Sequence, residues 1–236
     1  MGAIFRREVR SYFTSPIGYI FLAAFYAYSG VMFANYSLES GYTRLDSVFS
    51  ALLIIIIVLI PVLTMRTISE EKRTKTDQCL LTAPVGLGSI VVGKFLAAFL
   101  IYIIAIAITG VFAVVVSAFG TPDWNVVVGN IVALALVGGA YIAIGIFCSS
   151  FTENQIVAAV ISFISLIFVS FLSTIGNLLP FEWLTTVCEK VSFGERYYSF
   201  TYGLFDFSNV VFFLSAIVAF PVSYTHLRAH ETGRNL

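Results

Sequence analysis

Six long intervals of this chain contain no Asp, Glu, Lys or Arg, and they constrain its fold more than any other feature. Each interval is 19 to 29 residues long and apolar over most of its length. The intervals are residues 11–38, 47–65, 95–122, 124–152, 154–181 and 207–227. About 20 helical residues, at a rise of about 1.5 Å each, cross a hydrocarbon core roughly 30 Å thick. The pattern therefore predicts a polytopic membrane protein with six transmembrane helices.

The composition supports this prediction and limits the fold class. Hydrophobic residues make up 59% of the chain and charged residues 11%, which is too apolar for the surface of a soluble domain. Lipid offers the backbone no hydrogen-bond partners, so a spanning segment is a helix or a strand of a closed barrel. The apolar runs are unbroken, whereas barrel strands alternate. We predict an all-α fold in which residues 1–220 form a single transmembrane domain.

Basic residues are distributed unevenly between the predicted loops, although the formal net charge is zero. One set of loops carries Arg6, Arg7, Arg10, Arg66, Lys72, Arg73, Lys75 and Lys94. The opposite set carries only Arg44, Lys190 and Arg196. Because Lys and Arg concentrate in cytoplasmic loops, we expect both termini to be cytoplasmic.

The N-terminal residues have the pattern of a helix that lies along the membrane surface. In residues 4–14, apolar side chains surround a polar face that bears Arg6, Arg7 and Arg10, as in interfacial helices. Ser15 and Pro16 end this helix, and the first span follows over about residues 17–35. A basic segment before an apolar run also occurs in cleaved signal peptides. The length of the run and the spans that follow favour a retained first helix.

Two predicted spans contain residues with more than one interpretation. Pro61 lies near the cytoplasmic end of the second span, residues 48–65, where proline removes a backbone hydrogen bond and favours a kink. It is either a tolerated membrane proline or a mechanical hinge. The fourth span, residues 126–148, is rich in Gly and Ala, which let helices approach closely. These small residues form either a packing face or the smooth wall of a translocation path.

The last third of the chain contains an aromatic connection and an unusual end. Residues 179–207 are rich in Phe, Tyr and Trp, which favour the headgroup zone, so we expect short helices that dip into the outer leaflet. The sixth apolar run meets Pro221, and Val210 to Phe220 covers only about 16 Å as a helix. We interpret residues 221–236 as a non-native tail and the sixth span as truncated.

The sequence lacks the motifs of common catalytic and metal sites. It has no GxxxxGK[ST] phosphate loop and no HExxH zinc motif, and its only histidines, His226 and His230, lie in the tail. Cys79, Cys148 and Cys188 form no CxxC pair. No acidic residue lies deep in a span, which disfavours proton-driven transport and intramembrane proteolysis. We expect no catalytic residue, cofactor or metal in this chain, which is not expected to be an enzyme.

The densest charge lies between the second and third spans, in residues 66–94. Glu70, Glu71, Lys72 and Arg73 suit the start of a helix, which predicts a charged element on which a soluble partner docks. The alternative is charge that only sets the topology. A second cytoplasmic turn joins the fourth and fifth spans, where Thr152 or a neighbouring serine should cap the fifth span beside Glu153.

These segments resemble the permeases of the type-2 ATP-binding-cassette exporter superfamily, in the branch that includes gliding-motility and copper-enzyme-maturation permeases. The resemblance covers nearly the whole chain up to Phe220, in the order of the family. The matching stretches are FRREVRSYFTSPIGYIF (5–21), LIPVLTMRTISEEKRTKTDQCLLTAPVGLGSIVVGKF (59–95), PDW (122–124), IGIFCSSFTENQIVAA (144–159) and FDFSNVVFFLS (205–215).

The resemblance implies six spans, short re-entrant helices before the sixth, and an interfacial helix with Arg6, Arg7 and Arg10. It implies a coupling helix that contains Glu70, Glu71, Arg73 and Asp77, and a second ATPase-facing turn that contains Ser150, Thr152, Glu153 and Asn154. Two permease chains would pair in the bacterial cytoplasmic membrane, each docked on a cytoplasmic ATPase that binds the ATP. Related sequences commonly carry a glycine-threonine-acid step in the coupling segment, whereas this chain has Lys75, Thr76 and Asp77.

Two functional hypotheses follow. The first is the permease subunit of an ATP-driven exporter, in which charge reversal at Glu70 and Glu71 should abolish stimulated ATP hydrolysis. The second is a membrane scaffold that anchors a cytoplasmic ATPase to a surface machine without transport. The neutral interior of the spans fits a lipid, a hydrophobic small molecule or a mechanical output equally well.

Overall fold

The computed structural model describes residues 2–38, 45–76, 86–178, 180–201 and 206–234, and only the backbone of Leu87 and of residues 224–234. Within these residues the chain is α-helical, without strands, which confirms the all-α prediction for them. The helices are α1 (Gly2–Thr14), α2 (Pro16–Phe33), α3 (Asp46–Thr64), α4 (Ser69–Thr74), α5 (Leu87–Ser117), α6 (Trp124–Ser149), α7 (Gln155–Ser170), α8 (Leu172–Gly176), α9 (Glu182–Val191), α10 (Phe193–Thr201) and α11 (Phe207–Arg234). A π-helical turn, Ala34–Leu38, extends α2.

Four helical segments of the described chain are long and apolar enough to cross a membrane. They are Pro16–Leu38, Asp46–Thr74, Gly88–Ser117 and Trp124–Ser149, which coincide with the first four predicted spans. The fifth and sixth predicted spans correspond to shorter apolar helices, Gln155–Ser170 and Phe207–Ser223. At about 1.5 Å per residue, α7 reaches only about 24 Å. A multi-pass membrane protein is therefore confirmed, and the count of six spans stays a prediction.

Three helix boundaries differ from the predicted ones. α5 begins at Leu87, so Lys94 lies near the end of its second turn and not in a loop. α7 ends at Ser170, and a break at Phe171 separates it from α8. α11 continues through Pro221 to Arg234. The charge pattern finds the apolar part of a helix, and it does not detect helical turns that extend beyond that part or breaks within it.

Side chains cap the starts of α6 and α7. Asp123 accepts hydrogen bonds from two N–H groups in the first turn of α6, at 3.1 and 3.4 Å. Asn154 accepts one from the Ile156 N–H at 2.9 Å, so Asn154 caps α7 rather than the predicted Thr152. The Thr152 hydroxyl instead accepts a hydrogen bond from the Asn154 N–H at 3.1 Å, which stabilises the turn before the cap.

α6 lies at the centre of the bundle and contacts α3, α5, α7, α10 and α11. Two of its glycines, Gly138 and Gly145, fit closely against α5 and α3. A Cβ at Gly138 would lie 2.2 Å from the Tyr102 ring, and one at Gly145 would lie 2.3 Å from the Thr64 hydroxyl. Both contacts are within this chain, so these two glycines belong to a packing face and not to the wall of a path.

Pro61 lies inside α3, which stays helical as far as Thr64. The proline is buried, and its carbonyl accepts a hydrogen bond from the Met65 N–H at 2.8 Å. A turn over residues 65–68 then leads into α4. The interpretation of Pro61 as a hinge stays a prediction.

The two ends of the bundle differ in chemistry. One end, called here the charged end, holds α1, α4, the first turns of α5 and the last turn of α6. The opposite end, called the far end, holds α9, α10 and the start of α3. Tyr197 on α10 donates a hydrogen bond to the Phe49 carbonyl at 2.8 Å, which joins α10 to α3. The candidate site described next lies at the charged end.

Candidate functional site: the charged end

α4 lies where the sequence predicts a charged helix after the second span. Glu70 and Glu71 lie in its first turn, and Lys72 and Arg73 in its last turn. Acidic residues at the start of a helix and basic residues at its end both interact favourably with the helix dipole. The Nε of Arg66 also donates to the Glu70 carboxylate at 2.7 Å. The short helix is thus stabilised by its own charges and by the turn before it.

Four charged side chains from three helices form what we call the four-charge cluster. Lys94 on α5 lies 2.8 Å from the Glu71 carboxylate on α4 and 3.4 Å from the Glu8 carboxylate on α1. Arg7 lies 2.8 Å from Glu71 and 2.6 Å from Glu8. The Lys94 side chain is only 2% exposed, so its charge requires this compensation. The cluster is electrically balanced and joins α1, α4 and α5.

The carboxylates of the cluster also affect Arg7. Partial burial opposes its charge, but the hydrogen bonds and negative charges of Glu8 and Glu71 outweigh that effect and raise the pKa of Arg7. The guanidinium therefore stays protonated at physiological pH. Arg7 serves as a fixed cation between α1 and α4.

The end of α3 and the turn that follows it receive hydrogen bonds from α1 and α5. The Tyr12 hydroxyl donates to the Leu63 carbonyl at 3.1 Å and lies 3.4 Å from the Thr67 hydroxyl. Lys94 donates to the Thr67 carbonyl at 2.7 Å. Burial raises the pKa of Tyr12 to about 12, although the Thr67 hydrogen bond opposes the shift. Tyr12 is therefore a neutral donor, and α1 and α5 both hold the turn.

α6 holds α4 from the other side. The Ser149 hydroxyl accepts hydrogen bonds from the N–H groups of Ile68 and Ser69 at 3.2 and 3.1 Å, and donates to the Met65 carbonyl at 3.1 Å. The Lys72 ammonium donates to the Ser150 carbonyl. Because Ser149 is fully buried, these bonds satisfy backbone groups that water cannot reach. The start of α4 and the turn after α6 therefore form one unit.

A polar cavity of about 340 Å³ opens beside the four-charge cluster. Its described wall includes the cluster itself together with Ser11, Tyr12, Arg66 and Glu70. The basic and acidic side chains in this wall are equal in number. The cavity therefore has no net charge that would select an anion or a cation.

The structure brings together some of the predicted site residues and separates others. Arg7, Glu70, Glu71 and Ser150 belong to the connected core of the charged end. The side chains that face outward are Arg6, Arg10, Arg73, Glu153 and Asn154. Thr152 is half-buried in the turn before α7, and Pro61 lies inside α3. Asp77 falls outside the described residues.

Sequence reasoning missed four members of the site, namely Glu8, Tyr12, Lys94 and Ser149. A signal for Lys94 exists, because it is the last charge before a long apolar run and its neighbours on both sides are apolar. A lysine in such a setting is buried only when it is paired. Ser149 carries no comparable signal, since a serine at the end of a span is common.

Lys75 ends α4 in an uncommon backbone conformation. Its φ of 55° is the one positive value among the non-glycine residues that the structure describes. Glycine adopts this left-handed cap without the steric cost of a Cβ. We expect Lys75→Gly to raise the free energy of unfolding by about 0.5 to 1 kcal/mol, measured as a higher melting temperature in detergent.

The matched control for Lys75→Gly is Thr74→Gly, one residue earlier in the right-handed helix. There glycine should destabilise the protein by about 0.4 kcal/mol, the difference in helix propensity between threonine and glycine. Equal effects of the two substitutions would contradict a special role for the backbone at Lys75.

No group of three or more His, Cys, Asp or Glu side chains is positioned to hold a metal ion in the part of the chain that the structure describes. A comparison with protein families gives a match over residues 28–220 to the family described as ABC-2 family transporter protein. The match begins after α1, so the Arg7 and Glu8 half of the four-charge cluster lies before it. No curated protein matches the chain.

Proposed function

Because this chain belongs to the ABC-2 family of transporter proteins, we propose that it is the permease subunit of an ATP-driven exporter. A separate cytoplasmic ATPase supplies the energy, and a second permease chain completes the transporter. In this proposal the charged end faces the cytoplasm of a bacterial cell, as the distribution of Lys and Arg favours. α4 is the coupling helix, and residues 150–154 form a second contact with the ATPase.

The observation that carries this proposal is the way α4 is held. It is joined to α1 and α5 through Glu71, and to the end of α6 through Ser149 and Lys72. A force on α4 is therefore transmitted to three helices of the bundle at once. A charged surface helix that only sets topology does not require these buried connections.

The outward surface around α4 offers groups for a partner. Arg73 is exposed on α4, and Glu153 is exposed on the turn before α7. Phe151, in the same turn as Glu153, presents a large apolar side chain that is 55% exposed. Exposed aromatic and charged side chains of this kind are typical of a protein docking surface.

A second permease chain has apolar surface available to it. On α7, Ile156, Val160, Ile164 and Phe168 are all at least half-exposed and recur every four residues, which places them on one helix face. The same face suits lipid. The proposal assigns part of this surface to the partner permease, as the family resemblance implies.

The structure changes how the coupling role should be tested. Glu70 and Glu71 are engaged in ion pairs within the chain, so reversing their charge disturbs the permease itself. Arg73 and Glu153, which are both exposed, are better targets for substitution. We expect Arg73→Glu with Glu153→Lys to reduce permease-stimulated ATP hydrolysis at least about tenfold, a loss of about 1.4 kcal/mol in coupling.

The measurement compares ATP hydrolysis by the ATPase encoded beside this permease, with wild-type or variant permease in nanodiscs. A pull-down in the same samples reports binding. Glu182→Lys, which reverses an exposed charge on α9 at the far end, is the matched control and should leave hydrolysis unchanged. Stimulation that survives the Arg73 and Glu153 reversals would overturn the assignment of α4 and the 150–154 turn as the ATPase contact.

A further inference from the structure

A second cavity, of about 570 Å³, lies at the far end between α2, α3 and α10. One face of each helix lines it. Tyr28, Met32 and Tyr36 follow each other at four-residue intervals along α2 and its π-helical turn. Tyr198 and Thr201 supply the wall on α10, at a three-residue interval. Such spacing places side chains on a common helix face, so the three faces line the open cavity together.

The cavity changes from polar to apolar along its length. α2 and α3 run antiparallel here, since the Tyr28 hydroxyl reaches the Ala51 carbonyl at 3.3 Å. Tyr36 and Asp46 therefore lie at the rim, nearest the far end, whereas Ile54 lies eight residues deeper along α3, or about 12 Å. A molecule with a polar head and an apolar chain matches this arrangement.

Three hydroxyl groups in the wall already donate hydrogen bonds within the protein. The hydroxyl of Tyr28 donates to the Ala51 carbonyl, Ser50 to the Asp46 carbonyl at 3.0 Å, and Thr201 to the Tyr198 carbonyl at 2.7 Å. A hydroxyl has one proton and two lone pairs. These three oxygens can therefore only accept further hydrogen bonds, so a ligand group that contacts them has to be a donor.

The charge of the wall points the same way. It contains the Asp46 carboxylate and no basic side chain among its described residues. Asp46 already makes a contact of its own, but a carboxylate has two oxygens and accepts several hydrogen bonds. Tyr36 and Tyr198 are 45% and 40% exposed, and aromatic faces attract cations.

We propose that this cavity binds an amphiphile whose headgroup is a protonated primary amine. The ammonium group lies at the rim near Asp46, donates to the hydroxyl oxygens of the wall, and contacts the tyrosine rings. The apolar chain extends towards Ile54. The proposal concerns binding alone, and it does not depend on the coupling role of α4 or on ATP.

The test measures binding to the full chain in phosphatidylcholine nanodiscs, without any ATPase. Radiolabelled dodecylamine is the probe, and dodecyl sulfate has the same chain length with an anionic head. Binding to empty nanodiscs is subtracted. We expect a saturable component of one dodecylamine per chain, with an affinity at least tenfold above that of dodecyl sulfate. Equal affinities, or no saturable component, would overturn the proposal.

Two variants locate the binding site. Asp46→Asn removes the charge with little change of shape and should weaken dodecylamine binding about tenfold, whereas Glu189→Gln on α9 should not. Tyr36→Leu removes an exposed ring and should weaken binding about threefold, whereas Tyr19→Leu on α2 near α1 should not. Unchanged binding in both Asp46→Asn and Tyr36→Leu, with intact helix content by circular dichroism, would overturn the site.

The same assay distinguishes the natural source of the headgroup. A membrane lipid with a primary ammonium head should compete, so phosphatidylethanolamine added to the nanodiscs should reduce dodecylamine binding. If it does not compete, the occupant is a soluble amphiphilic amine. Both results are consistent with the site, and they identify which kind of molecule occupies it.

Discussion

Replacing Lys94 with methionine should destabilise the protein by about 2 kcal/mol. Methionine keeps the length and the apolar stem of the side chain and removes the ammonium group. The ammonium group that lies 2.8 Å from the Glu71 carboxylate would be absent. Glu71 and Glu8 would then have only the guanidinium of Arg7 as a cationic partner. The Thr67 carbonyl would also lose its donor at 2.7 Å. Both carboxylates would still pair with Arg7 and are partly exposed to solvent. We therefore expect a smaller loss of stability than the roughly 3 to 5 kcal/mol typical of breaking an isolated buried ion pair.

Two measurements check the Lys94→Met prediction. The melting temperature in detergent should fall, and trypsin should cleave at the arginines of α1 faster, since α1 loses one of its links to α4 and α5. Lys190→Met removes an exposed lysine at the far end and should change neither. If the Lys94→Met protein has the melting temperature and the rate of trypsin cleavage of the wild type, the four-charge cluster does not hold α1.

Gly138→Ala should destabilise the bundle by about 3 kcal/mol, the upper part of the usual range for overpacking a core. The added Cβ would lie 2.2 Å from the ring of Tyr102. This ring cannot move aside at low cost, because it is fully buried and its hydroxyl donates to the Leu134 carbonyl at 2.7 Å. Either α5 and α6 separate or this hydrogen bond is lost, and the melting temperature reports the result.

The control for Gly138→Ala lies on the same helix. A Cβ at Gly129 would meet nothing within 4 Å, so Gly129→Ala should be neutral or slightly stabilising through helix propensity. A second check combines Gly138→Ala with Tyr102→Leu, which makes room for the Cβ. The double variant should lose less stability than the sum of the single losses. Additive losses would mean that Gly138 does not pack on Tyr102.

The sequence predicts the helices of this fold well because the bilayer imposes a simple rule on them. Unbroken apolar runs marked the four long helices, and the Ser15 and Pro16 pair marked the end of α1. The same rule fails at α7, because residues 155–178 contain no charged residue and are mostly apolar, while the helix breaks at Phe171. Apolar character reports burial in lipid or protein, and it carries no information about where helical hydrogen bonding stops.

The candidate site was predictable only in part, for a physical reason. α4 was visible because its charges follow one another in the sequence, with Glu70 and Glu71 before Lys72 and Arg73. Its partners are distant in sequence, so nothing local indicates that Lys94 pairs with Glu71 or that Ser149 bonds to the backbone of Ser69. A pairing between helices depends on how they pack, and one sequence shows composition and spacing but not packing.

The shared contacts around Glu71 also define what can be exchanged between related permeases. A six-residue graft of α4 alone would arrive without the arginine and lysine that balance its glutamate. Under the coupling role proposed for α4, a transplanted module that keeps these contacts has to include α1, the turn over residues 65–68, α4 and the opening turns of α5. Such a module is exchanged as one piece, because α4 by itself leaves its ion pairs with α1 and α5 unmatched.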